Sequence, residues 1–345
     1  MKHPRQRAGP RFFPARGFSL IELMVALAIG LVIAAASFSA FLGASGASKV
    51  AEAQARMNED AQATLGILTQ QLRMAGSNPN QPGRVDAASR RDPLYGPAVY
   101  PTGAYTMSNF TLRGCDGKFA PPASSAPDRL DDLICDSQPA QPESLALSYE
   151  ADRFNTVPTA ADGLPSDCLG NKLGTITAAL PTLDPAALQS ATYAVAVNRF
   201  YIAVSSAQVP SLYCKGSGLN TDGTASSAKP LVENIEDMQF SFGAVPASTA
   251  AADVAAADVA GYLTAAEVLS QANMAGLASD AERWAKVVAV RICILARSEA
   301  AVAANAASAR YLKCDGTLES SPPDLRLRRA YTTTVVVRNR RFHHD

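Results

Sequence analysis

From Phe18 to Leu42 the chain is apolar apart from a single charge, Glu22, and this run constrains the fold more than any other feature. At about 1.5 Å per residue, a helix of that length crosses a hydrocarbon core of roughly 30 Å with some tilt. A secretory signal peptide has an apolar region of only about 7 to 15 residues before its small-residue cleavage site. Small residues do follow here, at Ser39, Ala40, Gly43 and Ala44, but the run is too long. A plain membrane anchor explains the length and leaves Glu22 unexplained, because an ionised carboxylate near the start of a span needs a partner. Lys2, Arg5, Arg7, Arg11 and Arg16 precede the run, with no acid in the first 17 residues, and Lys49 after it is followed by Glu52. The positive-inside rule then predicts a cytoplasmic head and an exported body.

Beyond the span the pattern becomes amphipathic. Val50, Ala53, Met57, Ala61, Leu65, Leu68 and Leu72 recur every three or four residues, while Glu52, Arg56, Glu59, Asp60 and Arg73 lie off that stripe. One helix from Phe18 to about Met74 is expected, roughly 85 Å long, stopped by Gly76 and Pro79. The stripe predicts packing against the protein's own sheet. Residues 77–142 are rich in Pro, Gly, Ser and Asp and read as loop with a short strand or two. Strands are predicted at Ser144–Tyr149, Tyr193–Val204, Met238–Phe242, Val287–Ala296 and Thr332–Val337. A helix is predicted from Thr264 to Met274, opened by a Thr264/Glu267 capping box. The Ala-rich stretch 244–260 lacks bulky side chains and reads as a surface excursion. The fold class is α+β, a long helix laid on an antiparallel sheet.

Composition removes several function classes. Charge is balanced, 31 basic against 31 acidic residues, and without the five basic residues of the head 26 basic residues face 31 acidic ones. That balance gives no general nucleic-acid footprint. Histidine occurs only at His3, His343 and His344, so the body has no histidine for a catalytic triad or a metal, and no Walker A sequence is present. No catalytic residue, cofactor or metal site is expected. Asn220-Thr221-Asp222-Gly223 faintly resembles a calcium loop, but Gly218 and Lys229 stand where acids are needed, so a turn is the better reading. Asp131, Asp132 and Asp136 have the chemistry to bind calcium, but a solvated loop is the better reading. The arginines 326, 328, 329, 338, 340 and 341 are basic enough for a DNA-contact patch or a subunit interface, but the better reading is a solvated strand edge that blocks edge-to-edge association. Six cysteines, Cys115, Cys135, Cys168, Cys214, Cys293 and Cys314, favour disulfides in an exported domain. Of the fifteen connectivities, nearest-neighbour pairing closes the shortest loops. Zinc is the rival, but no short C-x₂₋₄-C spacing supports it.

Gly17-Phe18-Ser19-Leu20-Ile21-Glu22, behind a basic head and ahead of an apolar helix, resembles the type III signal of type IV prepilins. The resemblance implies a prepilin peptidase/N-methyltransferase that cuts after Gly17 and methylates Phe18. It also implies that Glu22 pairs with a positive amino terminus and sets subunit register in a filament. Three further blocks resemble the PilW family of minor pilins: Val232 to Phe240, Trp284 to Arg297, and Thr332 to Arg340. With the prepilin resemblance and the apolar and amphipathic runs, the expected organisation is a leader at 1–17, a transmembrane part at 18–42, a periplasmic amphipathic part at 43–76 and a globular domain at 77–345. The implied function is priming or capping of pilus assembly with other minor pilins, the major pilin and the inner-membrane assembly platform. The rivals are a type II secretion pseudopilin and an adhesive or DNA-binding tip subunit.

Overall fold

The computed structural model describes residues 17, 19–77, 110–120, 130–137, 141–180, 189–220, 222–250, 253–254, 257–270 and 272–339. The chain divides into two compact units, residues 1–52 and 53–345. A single 55-residue helix, α1 (Leu20–Met74), begins in the first and ends in the second. In chain order there follow β1 (Leu112–Cys115), β2 (Gly117–Ala120), β3 (Ile134–Ser137), β4 (Ser144–Glu150), β5 (Thr175–Leu180), β6 (Gln189–Val204), β7 (Pro210–Gly216) and β8 (Lys229–Glu233). Then come β9 (Ile235–Ala244), β10 (Gly261–Leu263), the short helices α2 (Ala265–Leu269) and α3 (Asp280–Ala285), β11 (Val287–Ala301), β12 (Tyr311–Leu312), β13 (Leu318–Glu319) and β14 (Arg326–Val336).

Two antiparallel sheets dominate the larger unit. The first has the order β1-β4-β6-β7-β8, with β5 paired to β6, and the second has the order β10-β9-β11-β14. A single residue, Asn234, passes the chain from β8 in one sheet to β9 in the other, with a left-handed φ of 62°, a conformation asparagine tolerates better than most residues. Its carbonyl accepts the Arg297 N–H at 2.9 Å, so this buried turn is tied into β11.

The part of α1 within this unit buries Met57, Ala61, Thr64, Leu68 and Leu72, in one core with Leu112, Leu145, Leu147, Phe200, Ile292 and Ile294 from both sheets. The expected stripe is present from Met57 to Leu72, with Thr64 buried in place of Leu65; Val50, Ala53 and Leu65 are only partly buried. Polar contacts fix the helix on each sheet. Asn198 Nδ2 on β6 donates to Gln71 Oε1 at 2.8 Å, and the Tyr331 hydroxyl on β14 bonds Asn58 Oδ1. The helix ends where Gly76 takes φ +71°, and its N–H reaches Ser148 O on β4 at 2.8 Å. A Cβ there would lie 3.0 Å from Thr111 Cγ2, so both the turn and the docking need glycine. Pro79 lies outside the described residues.

The five expected strands are all present, and each runs longer than its apolar run alone. The expected helix at Thr264 starts there with both halves of its capping box, but it stops at Leu269. Ser270 leaves the helical region, and Asn273 Nδ2 satisfies the Glu267 carbonyl from outside the helix at 3.4 Å. The Ala-rich excursion is pinned rather than loose. Val245 and Val254 pack with Val288, the Ala260 N–H bonds Ala244 O at 2.8 Å, and Lys286 Nζ donates to Thr249 O.

Glu143 straps the two sheets together at the start of β4. Its backbone N–H donates to Met238 O at 2.8 Å, and its carboxylate accepts the Phe240 N–H at 2.6 Å. Burial pushes its pKa up to about 8; the Phe240 N–H opposes this, and the charges of Asp116 and Asp237 add to it. The folded state therefore holds a proton that the unfolded chain releases near pH 4.5. This contribution to stability is full below that pH and is lost as pH rises toward about 8. Glu143→Gln keeps the acceptor for Phe240 and removes the ionisation. Its melting temperature should exceed wild type at pH 8 by the equivalent of roughly 4 kcal/mol and match it near pH 4. Parallel thermal melts across that range would refute the assignment if both proteins lose stability equally.

Candidate assembly interface

In the first unit, α1 exposes its apolar surface along the whole expected span. Leu20, Ile21, Leu27, Leu31, Val32, Phe38 and Phe41 are each at least 60% exposed, and the most apolar window has mean hydropathy 2.4 with none of it buried. This is surface that water disfavours by about 25 cal/mol per Å². It fits a single-pass membrane anchor.

The start of this helix contains a device that sequence reasoning missed. Ser19 Oγ accepts the Glu22 N–H at 3.2 Å, and Glu22 Oε2 accepts the Ser19 N–H at 2.9 Å. This is a reciprocal capping box. The Ser-x-x-Glu spacing was available to find it, as it was at Thr264. It gives the lone carboxylate a partner in its own chain and satisfies an N–H that the helix leaves open. Gly17 is exposed, with no atom within 4 Å of the position a Cβ would take. Phe18 lies outside the described residues.

In the larger unit three disulfides join Cys115 to Cys135, Cys168 to Cys214 and Cys293 to Cys314, the nearest-neighbour pairs. The first ties β1 to β3, the second ties the loop before β5 to β7, and the third ties β11 to the β12–β13 segment. At Asn220–Gly223 the expected turn appears: Asp222 Oδ1 accepts the Thr224 N–H at 2.9 Å, and Gly223 has φ +80°. Asp131, Asp132 and Asp136 lie on a short 3-10 turn and on β3.

The arginine cluster corrects the expectation of a solvated edge. The Arg328 side chain is only 2% exposed. It donates through Nε and Nη2 to Glu236 at 2.5 and 2.9 Å and through Nη1 to Asp324 at 2.7 Å. Arg326 Nη1 bonds the same aspartate at 2.9 Å, and Arg297 reaches Glu236 at 3.4 Å. Burial works against the Arg328 charge, but its hydrogen bonds to Glu236 and Asp324 outweigh that and raise its pKa. In return Arg328 holds Asp324 far below the usual carboxylate range. The network is a rivet between β9 and β14. Arg329 and Arg338 remain exposed; Arg340 and Arg341 lie outside the described residues.

The exposed face of α1 in the larger unit borders β14, and between them runs a groove of about 710 Å³ lined by Leu65, Gly66, Thr69, Gln70, Arg73, Met74, Thr332 and Thr333. Among the described residues no cluster of His, Cys, Asp or Glu is arranged to hold a metal. The body presents surfaces and rivets, which suit assembly.

Comparison with known proteins adds two family matches. Residues 14–38 match the prokaryotic N-terminal methylation motif, and residues 199–339 match the model described as type IV pilus-assembly protein W. The second match runs from within β6 to just past β14 and contains Glu236, Trp284, Arg297 and Arg328. No curated protein and no solved structure matches the chain. The methylation motif thus lies at the head of the uncovered apolar helix, and the match to type IV pilus-assembly protein W covers the C-terminal part of the body, from within β6 to just past β14.

Proposed function

We propose that this chain is a minor pilin that primes or caps type IV pilus assembly. The observation that carries this reading is the joining, in one chain, of a capped and uncovered apolar helix to a large disulfide-tied body of the PilW type. Residues 1–17 are the leader, 18–42 the inner-membrane part of the helix and 43–76 its periplasmic continuation. The body from 77 to 345 lies in the periplasm and then in the pilus, at its tip. Prepilin peptidase cuts after Gly17 and methylates Phe18. The partners are other minor pilins, the major pilin and the assembly platform, and no step requires catalysis by this chain.

The exposed, unobstructed Gly17 supports the cleavage assignment, because a cut site must enter the protease without a side chain in the way. Gly17→Trp should leave nearly all of the protein as the longer precursor in the membrane. Normal processing, read from N-terminal sequencing or a mass shift, would mean that the leader is misassigned.

The function is tested on a deletion strain by counting pili and following secretion of exported enzymes in the same cultures. Loss of pili with normal secretion supports the reading. Intact pili with failed secretion would move the protein to the type II system, and normal numbers of pili that no longer adhere or take up DNA would make it a tip effector.

A further inference from the structure

An edge strand exposes unpaired N–H and C=O groups, and proteins usually blunt such edges with charge, proline or short length. β8 carries Lys229, Pro230 and Glu233, and β10, the far edge of the second sheet, has only three residues. β14 has eleven residues and, among the described residues, pairs on one side only, with β11. From Ala330 to Val336 it reads Ala-Tyr-Thr-Thr-Thr-Val-Val, seven residues without a charge or a proline and rich in β-branched side chains. The groove against α1 runs beside this uncharged stretch.

The groove has room for side chains as well as an edge for a backbone. Gly66 opens its wall, since a Cβ there would meet nothing within 4 Å, while Leu65 and Met74 give it apolar surface and Thr332 and Thr333 form the strand side. Its charge is one-sided. Arg73 lines it, exposed Arg329 and Arg338 stand at the two ends of the uncharged stretch, and no lining residue is acidic. An extended peptide added to β14 would place alternate side chains in the groove, and an acidic one would meet Arg73.

We propose that the β14 edge and this groove form a docking site for an extended, acid-bearing segment of a neighbouring pilin subunit, which continues the second sheet by strand addition. The proposal rests on the pilin reading above. A second copy of this chain offering its own β14 does not fit, because residues 330–337 contain no acid.

The test uses the full chain in the cells that make it, with a photoreactive phenylalanine at exposed Thr332 and, as a control, at exposed Phe154. The expected result is a Thr332 adduct whose partner peptide is an acid-bearing extended segment of another pilin subunit. Gly66→Trp, which fills the groove, and Arg73→Glu should each lower that adduct at least fivefold, with the melting temperature and disulfides unchanged. An adduct undiminished by Gly66→Trp, an adduct to β14 of a second copy, or no pilin adduct at Thr332 would overturn the proposal. Sheared filaments from the same cultures separate the two readings. If the chain is present in pili without a Thr332 adduct, only the docking site fails; if it is absent and pili are normal on deletion, the pilin reading itself fails.

Discussion

Glu22→Ala is expected to leave membrane insertion intact and to lower incorporation into filaments by about tenfold or more. The expectation comes from the energy of one charge-assisted hydrogen bond, about 1.5–3 kcal/mol, of which about 1.4 kcal/mol already equals a factor of ten. Two roles for Glu22 must be separated. In the chain by itself the carboxylate accepts the Ser19 N–H as half of a capping box, and in the proposed filament it also answers a positive amino terminus. Glu22→Gln distinguishes them, because glutamine can complete a capping box and carries no charge. If Glu22→Gln incorporates as poorly as Glu22→Ala, the charge sets subunit register. Normal incorporation of Glu22→Gln would reduce the role of Glu22 to starting the helix. The readout is the ratio of filament-bound to membrane-bound protein, with membrane fractionation as the control for insertion.

With the proposed cut after Gly17, Ser19 is the second residue of the processed chain. The capping box therefore does not depend on the leader, and the helix can start at the same residue in precursor and mature forms. A residue that gives up part of its hydrogen-bonding capacity to its own backbone retains further lone pairs for a neighbour, since a carboxylate offers about four acceptor positions.

The legibility of this molecule in its sequence followed the range of the forces involved. Features set by neighbours in the chain could be read. The apolar run, the Met57–Leu72 stripe, the Thr264/Glu267 box and the β-rich cores of β6 and β11 all depend on residues within a few positions. Features set by distant partners could not. Arg328 belongs to an arginine-rich stretch and reads as solvated, yet Glu236, 92 residues away, encloses it. β7 escaped because the turn before it has no glycine or proline; Gln208 adopts φ 60° instead, and the Ser205 and Val209 backbones close the loop at 2.9 Å. The Ser19/Glu22 box was legible in principle and was hidden by a second meaning of the same residues, the processing motif. At the groove, Leu65 fits the buried stripe by spacing, yet it is only partly buried and lines the groove with Thr332 and Thr333.

Removal of the Cys168–Cys214 disulfide is expected to be the most destabilising single lesion in the body, costing about 4 kcal/mol by the loop-entropy estimate for its sequence separation of 46. The two ends sit in different surroundings. Cys214 is fully buried on β7, whereas the chain at Cys168 is irregular and is held by Asp167. That carboxylate accepts the N–H groups of Leu169, Asn171 and Gly218 at 2.8 to 3.0 Å. A Cβ on Gly216 would lie 2.1 Å from Asp167 Oδ2, so β7 must offer a bare backbone there. The disulfide and the carboxylate therefore fix one loop to one strand by independent means. Cys168→Ala with Cys214→Ala should lower the melting temperature by roughly 8 to 16 °C, taking about 2–4 °C per kcal/mol for a domain of this size. The loop should keep its local fold at low temperature because Asp167 still holds it. Thermal melts of the purified protein, together with amide exchange at Leu169 and Gly218, give the two readouts. A small melting shift with unprotected amides would assign the loop's order to the disulfide and its stability elsewhere. A large shift with protected amides would place the constraint on the unfolded chain, as the entropy argument requires.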